Sequence, residues 1–199
     1  MSPMPHDMVF NPSLRSRPVS QVPGEVRGFL DRARYMISIA ESSLADVSLK
    51  DTDKPGFKRY IKRTPLGVVL VIAPWKSVSV AIGWNASPNT NIRFSSYPYL
   101  VSINAVLPAI IAGNSVLLKP SPQTPLTAER FALALSRAGV PPAVIQVVHL
   151  SPELTAYAIR HPKVDFVSFT GSVTGGKFVQ EIASNADGFK GVALEVRLA

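Results

Sequence analysis

Val164-Asp-Phe-Val-Ser-Phe-Thr-Gly-Ser-Val-Thr-Gly-Gly-Lys177 runs from β-forming residues into a small-residue turn and then opens a helix. Val164, Phe166, Val167 and Phe169 favour an extended, buried strand, and Phe178, Val179 and Ile182 recur at helical spacing. The turn is expected over Thr170–Gly176. The first N–H groups of a helix have no internal acceptors and lie at the positive end of its dipole, so an anion is favoured there. Two nucleotide patterns can be tested against it. Gly171 to Lys177 fits the first seven positions of a P-loop, but Phe178 stands where Mg²⁺ binding needs a Ser or Thr hydroxyl. Gly171, Gly175 and Gly176 do not have the spacing of a G-x-G-x-x-G fingerprint. From these residues alone a phosphate site and a plain turn capped by Ser172 or Thr170 both stay open.

Working outward, the same strand-turn-helix rhythm recurs. Leu100–Ala112 is apolar at helical spacing with Gly113 as its stop, and Ser115–Lys119 reads as a short strand. Thr124–Ala138 is a helix opened by Thr-Pro, Val144–Val148 a strand, Pro152–Arg160 a short helix, Val173–Ala183 a helix, and Val192–Leu194 the start of another strand. Thr64-Pro-Leu-Gly-Val-Val-Leu-Val-Ile-Ala-Pro-Trp75 holds an unbroken branched apolar run, the mark of a strand buried on both faces of a parallel sheet. This alternation predicts an α/β fold: a Rossmann-like, doubly wound parallel sheet that is incomplete, with ligands at the carboxyl ends of its strands and an N-terminal helical arm.

Before that sheet, residues 1–24 are Pro-punctuated and expected to be irregular. Val26, Phe29, Leu30, Ala33, Ile37, Ala40 and Leu44 then mark an amphipathic helix, and Phe57–Arg63 an edge strand or hairpin arm. Lys76–Ser96 has no period and reads as an irregular insertion. The expected division is thus an arm over 1–64, a partial dinucleotide-binding domain over 65–75 and 97–195, the insertion at 76–96, and a foreign tail at 196–199.

Composition narrows the chemistry. The 199 residues are 46% hydrophobic, enough for a core, and carry no cysteine, which removes disulfides, thiolate metal sites and a cysteine nucleophile from this chain. No metal site is expected. The net charge of +8 suits a phosphate-bearing cofactor; the basic residues are not interleaved with stacking aromatics, so nucleic acid is not expected as a partner. Phe94–Leu118 is free of charge, but Pro98, Pro108 and Gly113-Asn114 argue for a buried helix followed by a buried strand rather than a membrane span. With no basic-then-apolar leader at the start, a cytoplasmic location is the default expectation.

Several short motifs fall in one order: Pro65-Leu-Gly-Val-Val with Ala73-Pro-Trp75, Tyr97-Pro-Tyr-Leu, Pro108-Ala-Ile-Ile-Ala-Gly-Asn114, Lys119-Pro-Ser-Pro-Gln-Thr-Pro125, Ala138-Gly-Val-Pro141, His161-Pro, Phe169-Thr-Gly-Ser172 and Leu194-Glu195. In this the chain resembles the amino-terminal, cofactor-domain part of the NAD(P)-dependent aldehyde dehydrogenase superfamily, with the insertion at 76–96 and a short C-terminus as departures. The resemblance implies oxidation of an aldehyde to a carboxylic acid with NAD or NADP as acceptor. It implies a cofactor site at Ala73, Trp75, Lys119, Gly171, Ser172, Val173 and Gly176, with Lys119 toward the adenosine ribose and the pyrophosphate at the turn. Pro122 stands where members that prefer NAD often carry Glu, and Leu150 where members commonly carry Gly. Glu195 matches the family's general base. The family's nucleophilic Cys has no counterpart, and Lys76 stands where its oxyanion Asn should follow Trp75. The chain alone is therefore expected to be inactive. The implied partner is a small-molecule aldehyde, with a homo-oligomer or pairing with a full-length homologue also in view. A non-catalytic nucleotide-binding or interaction module, and more remotely a P-loop NTPase, are the other readings. At the turn, Gly171→Val is expected to block cofactor binding with little effect on folding if φ is negative there.

Overall fold

The computed structural model describes residues 22–48, 56–57, 59–73, 98–122 and 124–197. The organising strand is β3 (Val68–Ile72), whose branched apolar residues leave it buried along nearly its whole length. It pairs in parallel with β4 (Ser115–Lys119) on one side and β6 (Phe166–Ser172) on the other. Beyond them lie β5 (Ile145–Val147) and β7 (Gly191–Arg197), giving a parallel five-stranded sheet of order β5-β4-β3-β6-β7. The doubly wound expectation is met.

Strand alternation sends neighbouring side chains to opposite faces, and each face buries its own core. On one face Val69, Val71, Val116, Leu118 and Ile145 pack against Ile103 and Val106 of α2 (Pro98–Ile111) and Ala128 and Phe131 of α3 (Pro125–Arg137). On the other, Leu70, Ile72 and Val167 pack against Ile159 of α4 (Pro152–Arg160) and Val179, Ile182 and Ala183 of α5 (Val173–Ser184). Full burial of each such side chain is worth roughly 1.5–3 kcal/mol, so this two-sided core carries most of the fold's stability.

Polar side chains set the amino-terminal edge of the sheet. Buried Asn114 accepts the N–H groups of Leu66 and Gly67 at 2.6 and 3.0 Å through Oδ1, and its Nδ2 donates to the Ala109 carbonyl at 3.0 Å. Gly113 just before it has φ +83°, a conformation that stops α2 and that side chains disfavour. Asp165 accepts the Val68 N–H at 2.9 Å, and Lys190 donates to the carbonyls of His161 and Val164 at 2.7 and 2.6 Å.

The arm consists of α1 (Val22–Leu44) and a two-stranded antiparallel pair, β1 (Val47–Ser48) with β2 (Tyr60–Ile61). The helix begins earlier than the irregular 1–24 segment allowed, because Pro23 falls in its first turn, where a missing N–H costs nothing. Its opening half is anchored. Buried Glu25 accepts the Tyr99 N–H at the start of α2 at 3.0 Å, and the Phe29 ring meets Tyr99 and Phe131 edge-on, at 6.3 and 5.7 Å between centroids.

The helix expected over Leu100–Ala112 is present as Pro98–Ile111 and passes through Pro108, since a proline in the last turn removes only one bond near the helix end. No helix among the described residues is long and apolar enough to cross a membrane. Strand β7 continues through Val196 and Arg197, in register with Gly171 and Ser172, so those two residues belong to the sheet rather than to a separate tail at 196–199. The insertion at 76–96 lies outside the described residues.

Candidate cofactor site

The chain winds outward from β3 through β4 to β5, then returns to lay β6 on the other side of β3. The connections after β3 and β6 therefore part at the carboxyl ends of those two strands, a topological switch point of the kind where open α/β sheets bind ligands. Ala73 stands directly there, its N–H donating to the Lys119 carbonyl at 3.1 Å at the end of β4. Gly171 and Ser172 end β6, and Val173 opens α5. The same edge thus gathers Ala73, Lys119, Gly171, Ser172, Val173, Gly176 and, on β7, Glu195. Trp75 lies outside the described residues.

The turn is tighter than the seven residues expected over Thr170–Gly176. Ser172 pairs with Arg197 as strand and also caps α5: its Oγ accepts the Gly175 N–H at 3.1 Å. Helix geometry leaves the N–H groups of Val173 and Thr174 without intrahelical acceptors, so the dipole and these two donors remain for an anion. The Ser172 hydroxyl can still donate its proton outward while it accepts from Gly175. A second capped helix end lies at this edge, where Ser151 Oγ accepts the Leu154 N–H at 3.2 Å at the start of α4.

The glycines here do something the motif did not disclose. A β-carbon on Gly171 or on Gly175 would come within 2.6 Å of the Phe169 ring, and one on Gly176 within 2.5 Å of a Val196 methyl. Their bareness lets α5 settle against β6 and β7, as a close helix–strand contact requires. Gly171 has no positive φ, and a side chain placed there would require the Phe169 ring to shift.

Lys119 and Glu195 occupy opposite faces. Val116 and Leu118 of β4 enter the α2–α3 core, so alternation places Leu117 and Lys119 on the face of α4 and α5, with Ile72 and Phe169. Partial burial lowers the Lys119 pKa from its ordinary value. Glu195 is exposed and in register with Thr170, whose Oγ1 donates to its Oε2 at 3.3 Å. Sequence reasoning missed this partner, and a Thr placed just before Gly171 carries no signal that could have found it. Among the described residues no group of three or more His, Cys, Asp or Glu could hold a metal ion.

Fold and edge together define a Rossmann-like α/β unit with a switch point, a helix N-terminus and a lysine one strand away at the same edge. The chain belongs to the aldehyde dehydrogenase family, whose profile matches residues 15–91 and 96–197. It is 34% identical over 173 residues to 4-trimethylaminobutyraldehyde dehydrogenase B of Danio rerio, covering 86% of this chain and 29% of that protein. Among solved structures it is similar to succinic semialdehyde dehydrogenase from Streptococcus pyogenes in complex with NADP+, with TM-score 0.71 and 25% identity over 89% of this chain and 34% of that one. It is similar as well to an NAD-dependent benzaldehyde dehydrogenase from Corynebacterium glutamicum, with TM-score 0.73 and 27% identity over 96% and 36% of the two chains. The chain spans about a third of the length of these relatives.

Proposed function

We propose that residues 65–197 form the cofactor-binding part of an NAD(P)-dependent aldehyde dehydrogenase, which oxidises a small aldehyde to its carboxylic acid. The observation that carries this is the meeting, at one edge of the sheet, of the β3/β6 switch point, the open N-terminus of α5 and Lys119. Solved relatives of similar fold include one in complex with NADP+ and one that is NAD-dependent, which supports either dinucleotide as the ligand.

The bound nicotinamide supplies a hydride acceptor. This chain's residues do the rest of the holding: the N–H groups of Val173 and Thr174 meet the pyrophosphate charge, Ser172 donates its hydroxyl proton, and Lys119 reaches the adenosine ribose. Glu195, which accepts the Thr170 hydroxyl on the other face, would take a proton from a thiol or a water in its role as the family's general base. No cysteine is present to attack the carbonyl carbon, so this chain by itself is expected to oxidise no aldehyde. Its partner in that chemistry would be a full-length homologue or another copy. Exposed Tyr35, Ile37, Tyr60 and Ile61 on the arm offer apolar surface for such pairing.

The test is a titration with NAD+, NADP+ and ATP–Mg²⁺, followed by the fluorescence of Trp75 and Trp84, beside an assay for reduced nicotinamide with aliphatic and aromatic aldehydes. Dinucleotide binding without turnover is expected. A response to ATP–Mg²⁺ alone would overturn the proposal.

A further inference from the structure

The helices do not cover the sheet evenly. On one face α2 and α3 lie over β3, β4 and β5, whereas on the other α4 and α5 pack chiefly on β3 and β6. Although α4 follows β5, it serves β6, because the chain crosses back past β3 before β6 is laid down. Strand alternation sends Leu117 of β4 and Gln146 of β5 to this second face, since their neighbours Val116, Leu118 and Ile145 enter the α2–α3 core. Beside them α4 leaves a groove of about 610 Å³, a volume within the range of small-molecule sites.

The groove has two unlike ends. Along most of its length it is apolar, with Leu117 and Val148 against the sheet and Leu154, Tyr157 and Ala158 along α4. Leu154 and Tyr157 are 53% and 66% exposed, so the α4 wall carries apolar surface that nothing among the described residues covers. At the amino end, where β4 and β6 begin, the lining changes to Ser115, His161 and Lys163. His161 Nδ1 accepts the Lys163 N–H at 3.2 Å, which leaves Nε2 as the donor of the neutral ring. No acid lines the groove, and the Asp165 carboxylate is taken up by the Val68 N–H. The negative end of α4 falls at this corner, but Lys190 donates to the His161 and Val164 carbonyls and offsets it.

We infer that this groove binds a free medium-chain carboxylate, its acyl tail laid along α4 and its head group at His161 and Lys163. From Ser115 to Val148, which is level with Leu118, the groove runs about 10–13 Å, about the length of an extended eight- to ten-carbon chain. The tail would bury Leu154 and Tyr157, and the carboxylate would accept charge-assisted bonds from the ammonium of Lys163 and the ring of His161. The polar end lies at the amino edge of the sheet, opposite the edge that gathers Lys119 and Ser172, so the inference does not depend on the dinucleotide reading.

Calorimetric titration of the full chain with hexanoate, octanoate and decanoate, each below its micelle concentration, tests this, with decyltrimethylammonium as a tail of opposite charge. Affinity should rise about two- to fourfold for each added methylene, and decanoate should bind about tenfold more tightly than the cation. Tyr157→Glu, a change at an exposed position, should place a like charge on the wall and weaken decanoate about tenfold or more. Lys163→Met should remove most of the preference for decanoate over the cation. Circular dichroism melting establishes that each variant is folded. No binding of decanoate by the folded chain, affinity independent of tail length, or equal binding of the cation would overturn the inference. So would an affinity unchanged in folded Tyr157→Glu, and competition by NADP+ would place the carboxylate at the other edge and overturn it as well.

Discussion

Strand β3 and the β1–β2 arm are made from the same kinds of residue and have opposite fates. Leu70 in β3 is wholly buried, whereas Ile61 in β2 is 55% exposed and Tyr60 59%. The difference is the number of faces covered. β3 has a hydrogen-bonded strand on each side and helices above and below, while among the described residues β1 and β2 pair with each other and are tied by two bonds from Arg63, to Asp46 Oδ1 and the Ala45 carbonyl. A lone two-stranded pair is marginal in water. β-forming character is thus a weak guide to burial; the company a strand keeps decides it.

That contrast is sharpest in the core. Leu70→Ala should cost about 2–5 kcal/mol of unfolding free energy, read from the urea midpoint, because the cavity it leaves between Val167 and α5 cannot collapse. A loss below about 1 kcal/mol would mean that the sheet is no better packed than the arm. Next comes Asn114→Ala, expected to cost about 2–3 kcal/mol, since the N–H groups of Leu66 and Gly67 both lose their acceptor where β3 begins. The same urea series would check it.

Ser172→Ala should cost about 1 kcal/mol, the usual worth of a helix cap, and should weaken dinucleotide binding by a similar amount in the calorimeter. An unchanged melting midpoint would show that the cap adds nothing to α5. The smallest effect belongs to the arm, where Ile61→Thr should shift stability by no more than about 0.5 kcal/mol in dilute solution. A larger loss that grows with protein concentration would show that a second copy covers the hairpin and would dissolve the contrast.

What was legible in the sequence follows the same division. The unbroken run of β3 and the helical spacing of α2, α3 and α5 report burial that depends on local pattern, so those elements could be read directly. Their polar fixings could not. Asn114 acts on residues 47 and 48 positions away, Asp165 on one 97 away and Glu25 on one 74 away, and no local pattern encodes such pairings. The site was half legible for a related reason. Ser172 and Gly171 stood out as a turn, but the choice of Ser172 over Thr170 as cap depends on backbone direction at the strand end. The glycines answer to the Phe169 ring and a Val196 methyl, which a one-dimensional motif cannot show. Thr170 was set aside as a possible cap when its hydroxyl belongs to Glu195.

The strand order also has a consequence for how the chain is made. The central strand β3 is the first of its sheet to leave the ribosome, and both of its neighbours, β4 at Ser115–Lys119 and β6 at Phe166–Ser172, are translated later. Val68-Val-Leu-Val-Ile72 contains no charge and no proline, the composition most prone to pair with any open edge it meets. During synthesis it must therefore wait without sheet partners, first for β4 and then, far longer, for β6. The most protected segment of the finished molecule is the most vulnerable one of the nascent chain.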